Sequence, residues 1–270
     1  MIIIGEKING TIPSAKKILE QRDESKLIDL AQSQARKGAD YIDVNVGTGN
    51  ASPEEERSSM KWAVNLVQEH TDKGICVDSP DPAVLRAGLE EIDIKRAMIN
   101  STTAETERLE AVIPIAAEYE APLIALAMDD TGIPATVEGR IRACETIEEA
   151  CEKAGIAMQR LLFDPLVLPI STDASQGVVT LNTIKEIKER FPQGKTVAGL
   201  TNISFGLPAR EQICCTFLQM AILSGLDAAI MNPLCGKTIT AVRSAEAVLG
   251  RDRHFRRYMR LFRKKTGSQI

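Results

Sequence analysis

Side chains with carboxylate and carboxamide groups recur where short β-rich segments of this sequence end. They are Glu6 and Asn9, Asp43 and Asn45, Asp78 and Ser79, Asn100, Asp129 and Asp130, Asp164, Asn202 and Asn232. Carboxylates accept hydrogen bonds, whereas carboxamides both donate and accept them. Histidine is nearly absent, with only His70 and His254 in the chain, which argues against a histidine-based metal centre or a nucleophile–histidine pair.

Two kinds of ligand suit such a set of side chains. A flat heterocycle with N–H groups and a carbonyl is one, and a pterin is an example, because its pyrimidine edge can donate two N–H bonds to one carboxylate. Mg²⁺ is the other, with oxygen ligands from Asp43, Asp78, Asp129 and Asp164. The metal interpretation is weakened because no lysine or histidine base stands near a strand end, and barrel enzymes of that kind usually need one.

The β-rich segments alternate with polar–apolar segments of helical period, several of which end at glycine. They span residues 2–5, 39–45, 74–79, 96–101, 122–128, 160–165, 195–202 and 226–232. Eight βα units in about 250 residues predict an α/β protein with a single-domain (β/α)₈ TIM barrel over residues 1–270. The carboxyl ends of the strands then converge on one face, where such barrels hold their active sites.

Any single aspartate or serine in these loops could instead be a helix N-cap. That is the better interpretation for Ser52 and Asp81, which directly precede predicted helices. His70 is predicted to stand at the C-terminus of a helix. N-capping is also an alternative for Asp78 and Asp164, and both roles are compatible in one residue.

Composition indicates an enzyme of the cytoplasm. Apolar residues make up 44% of the 270 residues and charged residues 26%. No apolar run approaches the ~18 to 20 residues of a membrane span, and the start, MIIIGEKING, lacks the features of a secretory signal. The six scattered cysteines are predicted to be core residues in a reducing compartment.

Positively charged residues are concentrated near the end of the chain. The net charge is −4, yet residues 251–265 contain eight Lys or Arg and one Asp. We predict a basic amphipathic C-terminal helix at about 251–265, with Phe255, Met259 and Phe262 as its buried stripe. This interpretation is favoured over nucleic-acid binding, while an acidic protein partner stays open.

Six short motifs connect the chain to a known family. In order they are G-E-K-I-N-G (5–10), D-V-N-V-G (43–47), C-V-D-S (76–79), M-I-N-S (98–101), D-P-L (164–166) and G-L-T-N-I-S (199–204). In this order and spacing the chain resembles the methyltetrahydrofolate:corrinoid protein methyltransferases, over residues 1 to about 235. It resembles more distantly the folate domain of cobalamin-dependent methionine synthase and dihydropteroate synthase, all within the pterin-binding barrel superfamily.

The resemblance implies a homodimeric barrel that holds tetrahydrofolate or methyltetrahydrofolate as substrate. A methyl group would pass between the folate N5 and the cobalt of a separate corrinoid protein, in one-carbon metabolism or anaerobic demethylation. By the same resemblance Asn202 would be catalytic and would reach N5. The substrate-binding residues would be Asp78, Asn100, Asp164, Gly199, Asp43, Asn45 and Ser79, with no metal ligand, no nucleic acid and no membrane involved.

One departure and two alternatives accompany this resemblance. Phe205 stands where the best-studied relatives have a glutamine, so the hydrogen bonding around N5 is expected to differ. No D-x-H-x-x-G corrinoid motif surrounds His70, which fits a corrinoid carried by the partner. The alternatives are a dihydropteroate synthase-like pterin enzyme, whose phosphate loop and basic residues near strands 7 and 8 are not evident, and a non-catalytic folate-binding subunit.

Overall fold

Eight parallel strands pair in chain order and the eighth pairs with the first, so the sheet closes into a barrel in this computed structural model, which describes residues 1–263. The strands are β1 (Ile2–Asn9), β2 (Tyr41–Asn45), β3 (Gly74–Asp78), β4 (Ala97–Thr102), β5 (Leu123–Leu126), β6 (Leu161–Asp164), β7 (Lys195–Gly199) and β8 (Ala228–Met231). The predicted TIM barrel is confirmed, because closure needs all eight strands in one parallel sheet.

Helices follow the strands and cover the outside of the barrel. They are α1 (Pro13–Gln21), α2 (Glu24–Arg36), α3 (Pro53–His70), α4 (Pro82–Leu89), α5 (Thr106–Tyr119), α6 (Val137–Lys153), α7 (Gln176–Arg190), α8 (Arg210–Ser224), α9 (Gly236–Val248) and α10 (Arg256–Phe262). Within residues 1–263, none of these helices combines the length and the apolarity needed to cross a membrane.

Local signals begin and end several helices as predicted. Ser52 Oγ accepts the N–H of Glu55 at 3.3 Å, and the Glu55 carboxylate accepts the N–H of Ser52 at 2.7 Å, which is a capping box at the start of α3. Asp81 accepts the N–H of Ala83 at 2.8 Å at the start of α4. His70 is the last residue of α3, with Nδ1 2.9 Å from the carbonyl oxygen of Leu66.

Apolar side chains fill both faces of the sheet. The inward-facing set is small and consists of Ile4, Cys76, Met98, Ile124, Leu162, Val197 and Ala228. Larger clusters of buried residues fill the space between the strands and the helices. Because successive strand residues alternate between the two faces, inward-facing polar residues lie above this inner layer, toward the carboxyl ends of the strands.

Two predicted strand ends differ from the structure by three or more residues, and both differences concern the site. The first strand runs to Asn9 instead of ending at residue 5, because an irregularity between Gly5 and Ile8 lets it continue its pairing with β2. The seventh strand ends at Gly199, where the chain turns into a 3₁₀ helix, Leu200–Ser204. Asn202 therefore lies in this 3₁₀ helix and not at the end of a strand.

The buried stripe predicted for the C-terminal helix was also wrong. Phe255 and Phe262 are each 56% exposed and Met259 is 50% exposed. The segment forms a 3₁₀ turn (Arg253–Phe255) and α10, and predicted positions 264–265 lie outside the described residues. Polar contacts attach it instead, since the buried Asp252 carboxylate accepts the N–H groups of Arg257 and Tyr258 at 3.1 and 2.8 Å.

The cysteines follow their prediction in part. All six are free thiols. Cys76, Cys144, Cys151 and Cys214 are buried, as expected of core residues, whereas Cys215 and Cys235 are partly exposed. Cys235 donates to the Glu211 carboxylate at 2.7 Å, so its thiol takes part in a surface hydrogen bond between α8 and the loop before α9.

Candidate active site at the barrel mouth

Three neighbouring strands place their polar residues side by side at the carboxyl end of the barrel. In the strand register Asn45 pairs with Asp78, and Asp78 pairs with Asn100. Asp43 lies two residues before Asn45 on the same face of β2 and is fully buried. The structure therefore brings together four of the predicted site residues in one cluster.

Each carboxylate of this cluster is held by a carboxamide. Asn45 Nδ2 donates to Asp78 Oδ2 at 2.9 Å, while its own oxygen accepts the N–H of Gly47 at 3.0 Å. Asn100 Nδ2 donates to Asp43 Oδ1 at 3.3 Å. The amides are thus already used to orient the acids, and they leave the second oxygen of each carboxyl for another partner.

The two acids influence each other's ionisation. Burial raises the pKa of Asp43 well above its usual range, and the negative charge of Asp78 raises it further. Burial also raises the pKa of Asp78, although hydrogen bonds from Asn45 and Asp43 act in the opposite direction. Since two close carboxylates do not both ionise readily, the Asp43–Asp78 pair holds a proton more tightly than either acid would alone.

Asp164 is the buried acid on the opposite side of the mouth, at the end of β6. Its Oδ1 accepts the N–H of Leu166 at 2.8 Å, an Asx turn that stabilises the left-handed backbone of Leu166, with φ of 63°. Burial raises the pKa of Asp164 to about 7, against the lowering effects of the Leu166 N–H, Arg140 and the Gly199 N–H. Neither Asp78 nor Asp164 caps the helix that follows it; Asp81 does so for α4, and α7 has no side-chain cap.

The remaining predicted residues lie at the rim. Asn202 is exposed in the 3₁₀ helix, and a Cβ placed on Gly199 would lie 3.6 Å from its Nδ2, so the amide folds back over the end of β7. Ser79 is buried, and its hydroxyl accepts the N–H of Asp81 at 3.1 Å. Ser79 therefore shapes the turn after β3.

Glu6 is a further acid of the mouth. Thr201 Oγ1, next to Asn202, donates to Glu6 Oε2 at 3.4 Å. Burial raises the pKa of Glu6 to about 7, while Lys7, Thr201 and Arg210 act to lower it. Glu6 also adds to the negative charge that raises the pKa of Asp43, so it belongs to the same electrostatic cluster.

The raised pKa of Glu6 has a consequence for stability. A carboxyl whose pKa is higher in the folded than in the unfolded chain binds extra protons when folded, so stability falls as the pH rises from about 4.5 to about 7. We expect Glu6→Gln, which cannot ionise, to melt about 2 to 6 °C above wild type at pH 8. Thermal unfolding followed by circular dichroism measures this difference, which should disappear at pH 4.5; an equal difference at both pH values would contradict it.

Two arginines that build the site, the partly buried Arg108 and the buried Arg140, match no pattern in the sequence. Arg108 of α5 donates to the carbonyl oxygen of Ser79 at 2.9 Å, and also to those of Pro80 and Ser101, which ties the loops after β3 and β4 together. Its charge lowers the pKa of Asp78.

Arg140 of α6 has the same function on the other side of the mouth. It is fully buried and donates to the carbonyl oxygens of Pro134 and Pro165 at 3.0 and 2.9 Å and to Gln176 Oε1 at 2.7 Å. An arginine on an amphipathic helix usually reads as part of the solvated face, so no pattern in the sequence distinguished these two.

The magnesium alternative finds little support in this geometry. Asp129 uses its carboxylate within its own turn, where Oδ1 accepts the N–H and the hydroxyl of Thr131 at 2.9 and 2.6 Å. In the described part of the chain, no group of three or more His, Cys, Asp or Glu residues is arranged to hold a metal ion. The mouth instead presents carboxyl and amide oxygens that accept hydrogen bonds, and the carboxyl groups have raised pKa values. Such a set of acceptors suits a planar ligand with several N–H donors.

Comparison with known proteins agrees with this chemistry. A family model described as "Pterin binding enzyme" matches residues 5–232. A methylcorrinoid:tetrahydrofolate methyltransferase of Eubacterium limosum is 37% identical over 266 residues, which cover 98% of this chain and 97% of the relative. Methionine synthase of Mycobacterium tuberculosis (strain ATCC 25618 / H37Rv) is 30% identical over 86% of this chain, but the match covers a fifth (20%) of that longer protein.

Solved structures show the same architecture. Dihydropteroate synthase from Stenotrophomonas maltophilia superposes with a TM-score of 0.73 and 19% identity over 92% of each chain. The enzyme from Xanthomonas albilineans, solved in complex with 7,8-dihydropteroate, gives a TM-score of 0.69 and 22% identity, again over 92% of each chain. At this level of identity the likeness extends to the fold alone.

Proposed function

Because the chain belongs to the family of pterin-binding enzymes, we propose that it is a methyltransferase that moves a methyl group between N5 of tetrahydrofolate and the cobalt of a separate corrinoid protein. The relative from Eubacterium limosum, matched over nearly its whole length, supports this reaction. The structural observation that carries the proposal is the barrel mouth itself, where buried acids and amides lie at the carboxyl ends of the strands and the exposed Asn202 lies just after β7.

The mouth divides into a binding part and a reacting part. Asp78, Asn100 and Asp164 bind the pterin ring through its N–H groups and carbonyl, and Asp43 and Asn45 shape the same pocket. These acids and amides are hydrogen-bonded to one another or to backbone before any ligand arrives, so they are preorganised. Gly199 lets the end of β7 approach the ligand closely, and Ser79 supports the pocket from the turn after β3.

Methyl transfer is an in-line displacement at carbon. The step that most needs catalysis is the departure of the folate nitrogen. A tertiary amine is a poor leaving group, so N5 must be protonated or strongly hydrogen-bonded when methyltetrahydrofolate is demethylated. Asn202 can accept a hydrogen bond from protonated N5 and donate one to neutral N5. A neutral amide therefore serves both directions of the reaction, whereas a fixed charge would favour one protonation state of N5.

A spectral assay tests the proposal. The protein is mixed with methyltetrahydrofolate and a reduced corrinoid protein, and conversion of Co(I) to methyl-Co(III) is followed; the reverse reaction uses the methylated corrinoid protein and tetrahydrofolate. We expect transfer in a single turnover with at least one corrinoid protein. Folate binding without transfer to any corrinoid protein would overturn the proposal and favour a non-catalytic folate-binding subunit.

The dihydropteroate synthase alternative receives less support. Its structural likeness is below 25% identity and extends to the fold alone. Two cations in the first turns of the helices after β7 and β8 are already engaged, since Arg210 donates to Ser204 Oγ and the carbonyl oxygen of Thr201, and Lys237 lies 2.5 Å from the Glu211 carboxylate. An assay with p-aminobenzoate and a dihydropterin pyrophosphate tests it directly, and we expect no product.

The protein is further proposed to act as a homodimer through α7 and α8. Val178 and Met220, which are 60% and 48% exposed, line an apolar groove between these helices together with Leu181, Ile213 and Phe217. Exposed apolar residues on adjacent helices are typical of an interface, and a two-fold axis lets one such face cover its own copy.

Light scattering after size exclusion tests the dimer. We expect the wild type to elute as a dimer and Val178→Asp/Met220→Asp as a folded monomer, because two buried charges would be unpaired in the interface. Ile94→Asp, at an exposed apolar residue outside this groove, is the matched control and should stay dimeric. A monomeric wild type at micromolar concentration would contradict the prediction.

The compartment proposed for the enzyme is the cytoplasm. Six free thiols, two of them partly exposed, suit a reducing environment. Cell fractionation with an antibody against the native chain measures the distribution, and recovery in the soluble cytoplasmic fraction is the expected result.

A further inference from the structure

Strand β1 contains a bulge at Glu6 and Lys7. Gly5 pairs with Ile42 and Ile8 pairs with Val44, so β1 advances three residues where β2 advances two. The buried Gln34 of α2 accepts the N–H of Lys7 through Oε1 at 3.0 Å, which satisfies a backbone group that the strand ladder leaves unpaired. Such bulges commonly re-aim a side chain beside an active site.

The bulge delivers Glu6 to the inside of the barrel mouth. Ile4 lies in the inward-facing apolar layer and Ile8 in the outer one, so the face changes within the bulge, and Glu6 lies close enough to Asp43 for its charge to raise the pKa of that buried acid. Its carboxylate meets the Thr201 hydroxyl, whose neighbour in the chain is Asn202. Arg210 donates to the carbonyl oxygen of Thr201 at 2.8 Å and thereby fixes the 3₁₀ helix against which Glu6 rests.

The other acids of the mouth are those proposed above to bind the pterin ring. Asp43 is held by Asn100, Asp78 by Asn45, and Asp164 by the N–H of Leu166. The amide of Asn202 can polarise N5 but has no proton to give up near neutral pH. Phe205, which stands where a polar side chain is expected, points its ring toward Arg210, with 5.8 Å between the guanidinium carbon and the ring centroid. A proton donor for the N5 side of the mouth therefore has to come from another element.

We propose, resting on the methyl transfer proposed above, that Glu6 exchanges the proton of folate N5. When methyltetrahydrofolate is demethylated, the N5–C bond breaks as the cobalt–carbon bond forms, and the electron pair left on N5 takes the proton of the Glu6 carboxylic acid. The carboxylate that remains is stabilised by Thr201. In the reverse direction N5 attacks the methyl group of the methylated corrinoid protein, and the Glu6 carboxylate accepts the N5 proton.

The ionisation of Glu6 suits this exchange. Burial raises its pKa to about 7, so both protonation states are populated near neutral pH. General acid–base groups act best when their pKa lies near the working pH, and such a group contributes roughly 10²- to 10⁴-fold to a rate. A carboxyl with its ordinary pKa would be almost fully ionised and could only accept the proton.

Glu6→Gln separates proton exchange from folate binding. We expect single-turnover transfer from methyltetrahydrofolate to Co(I) to slow by about 100-fold and to lose its pH dependence around pH 7. Folate affinity should change by less than about threefold, since the amide still accepts from Thr201. Glu69→Gln, on the exposed surface of α3, is the matched control and should leave the rate and the pH profile unchanged. An unchanged rate and pH profile in Glu6→Gln would overturn the proposal.

A second measurement needs no corrinoid protein. The ¹⁵N chemical shift of bound methyltetrahydrofolate labelled at N5 reports the pKa of that nitrogen on the protein. We expect this pKa to be about one unit lower in Glu6→Gln, because a nearby carboxylate stabilises protonated N5. If the wild type transfers no methyl group, the proposed function has failed, and the ¹⁵N titration alone decides about Glu6: an equal N5 pKa in both proteins overturns the exchange.

Discussion

Asn202→Ala is expected to lose methyl transfer while it keeps folate binding. A hydrogen bond that strengthens as charge changes on N5 stabilises the transition state more than the bound substrate, and one such donor or acceptor contributes about 2 to 4 kcal/mol. The rate of transfer should therefore fall roughly 30- to 1000-fold. Affinity for methyltetrahydrofolate should fall by less than about tenfold, because the buried acids proposed to bind the pterin are untouched.

Because Asn202 is exposed, its substitution should change the reaction without disturbing the fold. Its side chain lies on the surface of the 3₁₀ helix, so its removal creates no cavity and leaves no buried group unpaired. Asn182→Ala, on the exposed face of α7, is the matched control and should keep both rate and affinity. Binding is measured by fluorescence titration and transfer by stopped-flow absorbance. Equal losses in affinity and rate would reduce Asn202 to a binding residue.

The fold was predictable from the sequence because its repeat is strong. Each strand is a short apolar run followed by a polar residue and a helical segment, and eight such units leave few alternatives to a closed barrel. The bounds that failed depend on contacts remote in sequence. The Gln34 side chain accepts the N–H of Lys7 in the bulge that extends β1. These two residues are far apart in the sequence, so no local pattern predicts their contact.

The sequence predicted which polar residues lie together at the barrel mouth, but not the hydrogen bonds that connect them. The polar residues at strand ends identified Asp43, Asp78, Asn100 and Asp164, because parallel strands bring their carboxyl ends together. The pairing of Asp43 with Asn100 depends on register across the sheet, which sequence spacing leaves open. Glu6 was visible as a strand-end residue, yet its proposed role depends on its surroundings in the fold and on its contact with Thr201, separated from it by 195 residues.

For the C-terminal segment, the sequence predicted burial that the structure does not show. Its apolar residues have the spacing of a buried stripe, but the α-helix covers only Arg256–Phe262, because His254 and Phe255 have left-handed backbone. The free energy of burial is gained only where a partner surface exists, and Phe255, Met259 and Phe262 each stay at least half exposed in the described part of the chain. Periodicity therefore identified the helix but could not say which of its faces packs.

Asp164→Asn is expected to have the largest effect on folate binding. The pterin edge presents two N–H donors, and a carboxylate accepts both, while a carboxamide accepts one and turns its own N–H toward the other. The loss of a charge-assisted hydrogen bond together with an unpaired buried donor costs about 3 to 4 kcal/mol, so affinity should fall roughly 100- to 1000-fold. The Asx turn survives in this variant, since the Asn oxygen still accepts the N–H of Leu166.

The pH dependence of binding gives an independent readout of the same substitution. Burial raises the pKa of Asp164 to about 7, so the free protein holds this carboxyl largely protonated at pH 6 and ionised at pH 8. A ligand that donates two N–H bonds selects the ionised form; hence binding releases a proton, and affinity should rise about tenfold from pH 6 to pH 8. Isothermal titration calorimetry in buffers of different ionisation enthalpy counts that proton. Asp164→Asn should abolish this component, whereas Asp72→Asn, at an exposed carboxyl after α3, should retain it; an unaltered proton count in Asp164→Asn would place the pterin edge on Asp78 instead.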